Sequence, residues 1–388
     1  MLGNFATGVA ILTPAGMLTV LADGLGVGIR DTGLLVTFGA LILCCGSPLV
    51  AWLTTRIDRR LLLAGTLAVL VAGQAASALA PNYATVLALR LAMLTVAAIY
   101  TPQAASTVAM IVPAGKRAAS IAFVFLGWSL AVAAGLPMIT FVAAYAGWRA
   151  AFAAGALAAL VPCLLLAFTL PGGLRGPPLS LQSFGIIARH RKIMLLLLIT
   201  ILQTCGQFTV FIYVSPLLQR LTGAGPDVVG TMFAIYGVAG FAGNVIATRI
   251  VSALGGWITS AVFLGSTFAG MLLWSLGAGW LPAMGLGVVI WGLGFAATNS
   301  MQQARLVTAA PELSSATVGL NTSALYTGQA IGSAIGGIMF SQGYLHSIGY
   351  VGATFVALGL AVWAITRDGP LGSGPAAAAQ RADIADAA

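Results

Sequence analysis

The stretch "LTTRIDRRLLLAG", residues 53–65, places four charged side chains within five positions, between two apolar runs. Over the 388 residues only 6% of positions are charged and 60% are hydrophobic, and the mean hydropathy is +1.02. A soluble domain carries about 25% charged residues, and a surface this apolar would expose larger patches than soluble monomers tolerate. Lipid is therefore predicted to surround most of the chain, with this charged stretch connecting two spanning segments.

Charged residues, glycines and prolines divide the chain into twelve apolar segments. A helix needs about 20 apolar residues to cross a bilayer, and runs that are continuously apolar favour helices over a β-barrel. The sequence therefore predicts an all-α membrane protein with 12 transmembrane helices. The spans are expected near residues 4–22, 33–54, 61–80, 84–112, 118–144, 150–170, 193–218, 228–248, 256–277, 281–304, 315–341 and 347–366.

Basic residues are unevenly distributed among the predicted connections. Thirteen of the 17 lysines and arginines fall on the side that also holds both termini, and Arg30, Arg149 and Arg220 fall on the other. This asymmetry predicts that both termini are cytoplasmic. The net charge of +9 is thereby explained by topology, and nucleic acid is not an expected partner because no basic stretch is interleaved with aromatic residues.

The longest interior connection, residues 171–192, separates the spans into two groups of six. "TTRI" at 54–57 and "ATRI" at 247–250 close the second span of each group, which indicates a duplicated bundle. We predict a six-helix bundle at 1–170, a cytoplasmic linker at 171–192, a second bundle at 193–370 and a disordered tail at 371–388. Neither the cysteines nor the two histidines show metal-ligand or catalytic spacing, and no nucleotide-binding loop is present, so no metal, cofactor or enzyme activity is expected.

The residues that best define a family lie in two long segments. "GLLVTFGALILCCGSPLVAWLTTRIDRRLLL" at 33–63 resembles the second helix and following loop of the major facilitator superfamily, and "GWSLAVAAGLPMITFVAAYAGWRAAF" at 127–152 resembles the antiporter motif of its helix five. "LALRLAML" at 87–94 and "NFATGVAILTPAGML" at 4–18 add weaker similarity. The chain is similar to the drug and sugar efflux branch, although Thr55 and Ile11 stand where that branch commonly has acidic residues.

This resemblance implies two pseudo-repeated six-helix bundles that export a small organic molecule by alternating access, driven by a proton gradient. We expect a monomer whose partners are the substrate, protons and membrane lipid. An uncoupled facilitator, or an importer of a polar or anionic metabolite, remains an alternative. A receptor that does not transport is an alternative from another functional class.

Coupling and gating candidates come from charge and helix-breaking residues. Ionisable groups inside a bilayer are costly and are therefore candidates for function. Arg90 is such a group, and an equally acceptable interpretation is that it binds backbone carbonyls of a neighbouring helix. The cytoplasmic cluster is expected to latch the bundle, and the resemblance links the glycine and proline of helix five to exporters. The candidates are Arg90, Asp23, Arg56, Asp58, Arg59, Gly135 and Pro137.

Substrate-binding candidates are polar or aromatic side chains within the predicted spans. Gln203 and Gln207 lie four residues apart, as do Asn299 and Gln303, so that each pair shares one helix face. Amides facing lipid would lack partners, so they are expected to face a cavity or to join helices. The candidates are Tyr100, Gln103, Gln203, Gln207, Tyr213, Asn244, Trp291, Asn299, Gln303, Asn321 and Gln329, with Trp274 and Phe211 as further apolar walls.

Overall fold

Helices and their connections form the whole described part of the chain. The computed structural model describes residues 1–54, 57–113, 117–175, 187, 189–310 and 314–366, in which no β-strand occurs. The predicted all-α class is confirmed. We number the helices α1 to α14 in chain order.

Eight helices precede residue 170. They are α1 (Leu2–Gly16), α2 (Leu18–Leu25), α3 (Ile29–Leu53), α4 (Arg59–Ala78), α5 (Tyr83–Ala97), α6 (Tyr100–Ile111), α7 (Arg117–Leu130) and α8 (Leu136–Thr169). A π-helical segment, Ala131–Gly135, joins α7 to α8. The second half holds α9 (Arg191–Phe211), α10 (Val214–Thr222), α11 (Pro226–Leu276), α12 (Leu281–Ala309), α13 (Ser314–Ser341) and α14 (Ile348–Ala364).

Two of these helices are each a pair of spans joined by a glycine. Gly147 in α8 has φ 82° and Gly255 in α11 has φ 76°, each with an extended ψ. Only glycine adopts this backbone region readily, so each position makes a sharp turn inside an apparently continuous helix. Seven helical stretches of the described chain are long and apolar enough to cross a membrane, and the bent pair α1–α2 makes an eighth. Dividing α8 and α11 at these glycines gives ten, and α13 with the shorter apolar helix α14 brings the described chain to the predicted twelve.

Prolines explain why three predicted spans are broken. Pro102 and Pro216 lie in the first turns of α6 and α10, and each preceding helix ends five residues before its proline, at Ala97 and Phe211. A proline ring clashes with the carbonyl four residues before it, so the helix stops there and begins again. In α1, Pro14 precedes a bend of 65° at Met17.

The two halves of the bundle contact each other mainly where α3 meets α13 and where α11 meets α7, the π-helical segment and α8, and α2 also contacts α10. We call the end where α8 stops and α9 begins the linker end, and the other end the hairpin end. At the hairpin end, the Tyr145 hydroxyl donates to the Asp227 carboxylate across 3.2 Å. Nearer mid-height, a Cβ on Gly237 would collide with the backbone of Ala133.

A row of hydroxyl and thiol groups lies along the α3–α13 contact. The Thr37 and Ser333 hydroxyl oxygens are 2.7 Å apart, and the Cys44 sulfur lies 3.0 Å from the Thr327 hydroxyl oxygen. The Ser323 hydroxyl donates to the Cys44 carbonyl at 3.1 Å. These bonds satisfy polar groups that would otherwise be unpaired between apolar helices.

Candidate functional site

A buried amide pair lies near the middle of the α9–α10 span. Gln203 and Gln207 are one turn apart on α9, and only 1% and 2% of their surfaces are exposed. The Gln207 side-chain N–H donates to the Gln203 side-chain oxygen at 2.6 Å, and Gln203 donates to the Thr204 hydroxyl at 3.1 Å. The prediction that the two amides share a helix face is therefore confirmed.

Two aromatic side chains from other helices converge on this pair. The Tyr236 hydroxyl from α11 donates to Gln207 Oε1 at 3.1 Å, and the Trp291 indole N–H from α12 donates to the same oxygen at 3.3 Å. One amide oxygen thus joins three helices of the second half. Two donors on one oxygen fix which way the amide points, so that its N–H₂ group must face Gln203.

Further rings surround the bonded side chains. Phe211 lies 5.1 Å from Tyr236 and 6.3 Å from Trp291 between ring centroids, and Phe295 lies 5.1 Å from Tyr236. Such distances and tilted or edge-on geometries are the favourable ones for aromatic pairs. We call the set Gln203, Gln207, Phe211, Tyr236, Trp291 and Phe295 the amide–aromatic cluster.

The cluster combines flat apolar ring faces with the hydrogen-bonding groups of two amides, a hydroxyl and an indole. In this conformation its polar atoms are bonded to one another and to the Thr204 hydroxyl, so a solute would have to replace these bonds. The hydrogen bonds that join the cluster involve neutral side chains alone. Ligand sites of this kind combine apolar walls with a few well-placed polar groups.

Sequence reasoning found Gln203, Gln207, Trp291 and Phe211, but it missed Tyr236 and Phe295. A signal was present, because aromatic residues recur three or four positions apart on three different spans. These pairs are Phe208 and Phe211, Phe233 and Tyr236, and Trp291 and Phe295. Trp274 lies elsewhere, close to Gly287 on α12 and Gly349 on α14.

Tyr213 lies at the contact between halves, outside the amide–aromatic cluster. Its hydroxyl donates to the Ser333 carbonyl at 3.0 Å, and its ring stacks on Phe340 with centroids 5.8 Å apart. A Cβ on Gly33 of α3 would collide with the same hydroxyl. The structure thus places Tyr213 against the first half, toward the hairpin end.

The remaining candidates of the second half are dispersed. Asn321 on α13 is fully buried and accepts from the Thr200 hydroxyl at 2.7 Å. Within the described chain, the Asn321 and Gln329 side-chain nitrogens have no partner, and the side-chain oxygens of Asn244 and Asn299 have none either. Gln303, like these two asparagines, is half-buried.

In the first half, Tyr100 and Gln103 are both buried at the start of α6. The Tyr100 hydroxyl packs so closely on Gly3 that a Cβ there would overlap it. A hydrogen-bonded group that sequence reasoning missed lies beside them. The Thr101 hydroxyl donates to Asn4 Oδ1 at 2.7 Å and receives the Trp128 indole N–H at 3.3 Å.

Arg90 is 1% exposed and is held by three backbone carbonyls. Its Nε donates to Leu35 O and its Nη1 to Ala10 O, both at 3.1 Å, and its Nη2 donates to Ile11 O. Pro14 has no N–H to give the Ala10 carbonyl its helical bond. The guanidinium supplies that missing donor and joins α5 to α1 and α3, as one of the two sequence interpretations expected.

Asp58 and Arg59 tie the start of α4 to the segment after α8. The Asp58 carboxylate accepts from Arg60 N at 2.8 Å and also from Gly173 N, while Arg59 N donates to Leu174 O at 2.9 Å. Asp58 is thus the N-cap of α4, a position that acidic residues favour. Arg59 is buried, and within the described chain its Nε and Nη1 have no partner. Arg56 lies outside the described residues.

The Asp58 carboxyl has a pKa below its usual value. Partial desolvation raises the pKa, but backbone N–H groups of Gly173, Leu61 and Arg60 and the charge of Arg175 outweigh it. A lowered folded-state pKa contributes stability above the unfolded value of about 3.9, and that stability is lost as pH falls through the folded value.

We expect Asp58→Asn to lower the thermal unfolding midpoint by a few degrees at neutral pH. The difference from the unsubstituted protein should shrink as the pH falls below about 4, because both proteins then carry a neutral side chain at this position. Thermal unfolding in detergent between pH 3 and 7 measures it. A difference that grows with acidity would contradict the proposed capping charge.

The other coupling and gating candidates occupy different places. Asp23 is exposed at the hairpin end. Gly135 ends the π-helical segment and packs against Val9 and Phe5 of α1, where a Cβ would collide. Pro137 follows in the first turn of α8. Because a proline leaves the carbonyls one turn before it without a donor, the wider π turn is a physical response to Pro137.

Comparisons with known proteins agree with this architecture. The family model of the Major Facilitator Superfamily matches residues 1–328. The inner membrane transport protein YdhP of Escherichia coli (strain K12) is 28% identical over 366 residues, covering 93% of this chain and 92% of YdhP.

Two solved structures show the same fold at low identity. The nucleoside transporter NupG superimposes with a TM-score of 0.73 at 12% identity, covering 95% of this chain and 99% of NupG. The D-xylose-proton symporter gives 0.70 at 16%, covering 92% and 95%. The predicted fold class is thereby confirmed, and the protein is a multi-pass membrane transporter. Since the family model covers well over half of its length, the chain belongs to the Major Facilitator Superfamily.

Proposed function

We propose that this transporter exports a small organic molecule across the bacterial inner membrane by alternating access. The observation that carries the proposal is the buried amide–aromatic cluster near mid-height of the bundle. It lies next to the contact between α11 and the π-helical segment, because Tyr236 precedes Gly237, which packs on Ala133 of the first half. The proposed direction, export, rests on the resemblance of residues 127–152 to the antiporter motif. The similar proteins show the family but not the direction of transport.

The proposed moving parts are the bundles at 1–170 and 193–370, joined by the linker at 171–192. The linker end is the cytoplasmic side in this proposal, because most basic residues lie there. A monomer suffices for this motion because both bundles belong to one chain. The predicted disordered tail at 371–388 lies outside the described residues. The contacts that α3 and α8 make with the second half would break and re-form as the bundles rock.

The proposed substrate is uncharged and combines an apolar ring or face with hydrogen-bonding groups. Neutral amides and aromatic rings form the cluster, and this chemistry suits drug-like, sugar or nucleoside-type solutes. Solved proteins of the same fold carry names that include a D-xylose symporter and a nucleoside transporter. We further propose that Tyr213, Asn321 and Gln329 act where the halves meet.

The proposed energy source is the proton gradient, used by antiport, with no bound cofactor and no enzymatic reaction. The predicted coupling roles of Asp23 and Arg59 and the gating roles of Asp58 and Pro137 belong to this proposal, whereas Arg90 is assigned the structural role that its three carbonyl bonds support. Uncoupled facilitation is the second candidate. It is favoured by Ile11, which occupies the place of a common acidic residue, and by the positions of the described carboxylates, which all lie near the ends of spans.

Purified protein in liposomes tests the function. Drugs, sugars and nucleosides would be screened for flux with and without an imposed pH gradient. We expect one solute class to be driven against its gradient when protons flow the other way. Flux that ignores the pH gradient would favour the facilitator, and no flux of any solute would favour a receptor.

A disulfide across the halves tests alternating access separately from substrate identity. Cys44 and Thr327 are in side-chain contact at 3.0 Å between α3 and α13, so Thr327→Cys in a Cys45→Ser background places two thiols within bridging reach. We expect oxidation to lower transport about tenfold or more, and reduction to restore it, because a covalent link prevents the halves from rocking.

The matched control carries Cys44→Ser and Thr327→Cys in the same Cys45→Ser background. Oxidation should leave its transport unchanged. Gel mobility after protease cleavage within the linker measures the fraction that is cross-linked. Full transport by protein that is completely cross-linked would refute motion along this contact.

A further inference from the structure

A cavity of about 390 Å³ lies at the linker end, between the start of α9 and the end of α14. Its lining residues are Arg191, Lys192, Leu195, Ile365 and Thr366. This volume falls within the range of small-molecule sites, which is about 300–1,000 Å³. Two cations and two aliphatic side chains thus share one cavity.

A third cation reinforces the positive charge from inside the bundle. Arg305 on α12 is 2% exposed, and its Nη2 donates to the Thr366 carbonyl at 2.6 Å and the Thr366 hydroxyl at 3.1 Å. Thr366 therefore lies between a buried guanidinium and the cavity. The guanidinium thus adds a basic group one hydrogen bond behind the cavity wall.

The start of α9 adds partial positive charge in the same place. The helix runs for 21 residues from Arg191, and its N-cap residue His190 makes no side-chain capping bond. The first backbone N–H groups of a helix attract anions when no side chain caps them. This contribution is secondary to the three side-chain charges.

A tryptophan pair indicates that the cavity lies at the level of lipid headgroups. Trp257 and Trp363 stack with centroids 4.2 Å apart, and each indole N–H donates to the other's carbonyl, at 3.3 and 2.9 Å. The Thr366 backbone N–H and hydroxyl both bond to the Trp363 carbonyl. Tryptophans concentrate at membrane–water interfaces, and this pair is bonded directly to the cavity wall.

We propose that this cavity binds a phosphate-bearing anion, with Arg191 and Lys192 as its direct contacts. In the membrane the source is the headgroup of an anionic phospholipid, whose glycerol and first methylenes would cover Leu195 and Ile365. Basic pockets between transmembrane helices have the chemistry that anionic headgroups require. The proposal does not depend on what the transporter carries or in which direction.

The test follows the unfolding midpoint of the full-length protein in neutral detergent. It compares titrations with dioctanoyl phosphatidylglycerol, dioctanoyl phosphatidylcholine and inorganic phosphate. We expect phosphatidylglycerol to raise the midpoint and phosphatidylcholine to have little effect. The double variant Arg191→Gln/Lys192→Gln should weaken the apparent affinity for phosphatidylglycerol about thirtyfold, which corresponds to about 2 kcal/mol.

The matched control is Arg60→Gln/Arg249→Gln, which removes two exposed cations of the linker end that do not line the cavity. It should bind phosphatidylglycerol as the unsubstituted protein does. If inorganic phosphate alone gives the same midpoint shift, the anion comes from the aqueous phase. Equal effects of both lipids, or equal losses in both double variants, would overturn the proposal.

Discussion

Transport by a Gln207→Leu variant is expected to fall about tenfold or more relative to the unsubstituted protein, which corresponds to about 1.4 kcal/mol of lost interaction with the solute. Leucine fills a similar volume but accepts no hydrogen bond. The hydroxyl of Tyr236 and the indole N–H of Trp291 would both lose their acceptor. The measurement is the initial rate in liposomes, for the solute that the screen identifies, over a range of solute concentrations.

Loss of stability must be separated from loss of binding. Each unpartnered donor costs about 1–3 kcal/mol, so the variant is also expected to unfold at a lower temperature. Tyr236→Phe is the second variant, because it removes one donor and keeps the ring. A binding role predicts that the folded protein has a raised KM in both variants. A purely structural role lowers only the amount of folded protein, and therefore the maximal rate, and leaves KM unchanged.

Gln74→Leu provides the matched control for a buried amide. Gln74 is fully buried in the first half and donates to the Thr13 hydroxyl at 3.2 Å, far from the second-half cluster along the chain and on other helices. Its replacement should reduce stability while leaving KM unchanged. If Gln74→Leu raises KM as much as Gln207→Leu does, the amide–aromatic cluster is not the solute site.

The spans were predictable because lipid imposes a length and an apolar composition that the sequence shows directly. The breaks before Pro102 and Pro216 were not anticipated, since counting apolar residues ignores which carbonyl loses its donor. The tight turns at Gly147 and Gly255 fall where adjacent spans were expected to separate. Backbone chemistry, rather than hydropathy, sets these details.

The site was only partly predictable, because a sequence gives helix faces and not the neighbours they meet. The spacing of Gln203 and Gln207 placed both on one face, and the structure shows them bonded. The spacing of Phe233 and Tyr236 marked an aromatic helix face, but it did not show that Tyr236 would bond to Gln207. Tyr213 met the same criteria as the amides but packs against Gly33 across the halves. Asp58 binds Gly173, a partner 115 residues away.

Replacing Arg90 with leucine is expected to destabilise the first half by about 3 kcal/mol. The variant loses three charge-assisted hydrogen bonds, each worth about 1.5–3 kcal/mol, while relief from burying the guanidinium offsets part of that loss. Thermal and chemical unfolding in detergent measure the change. Arg90→Lys should recover little stability, because an ammonium cannot reproduce the fork that reaches Leu35 O and Ala10 O together.

Pro14 provides an internal control for the physical cause. In a Pro14→Ala background, the introduced alanine supplies an N–H to the Ala10 carbonyl, so that carbonyl no longer depends on Arg90. The cost of Arg90→Leu should then be smaller by about 1 kcal/mol, the usual net value of one hydrogen bond. A double-mutant cycle measures this difference directly. Equal costs in both backgrounds would mean that the Ala10 carbonyl is not what Arg90 stabilises.

The same cycle separates the packing role of Arg90 from a coupling role. If Arg90 acts only by joining α1, α3 and α5, transport per folded molecule should keep its dependence on the pH gradient in the doubly substituted protein. If the charge itself takes part in coupling, that dependence disappears even where the protein is folded. Because Arg90 already gives its donors to three carbonyls, we expect the first result.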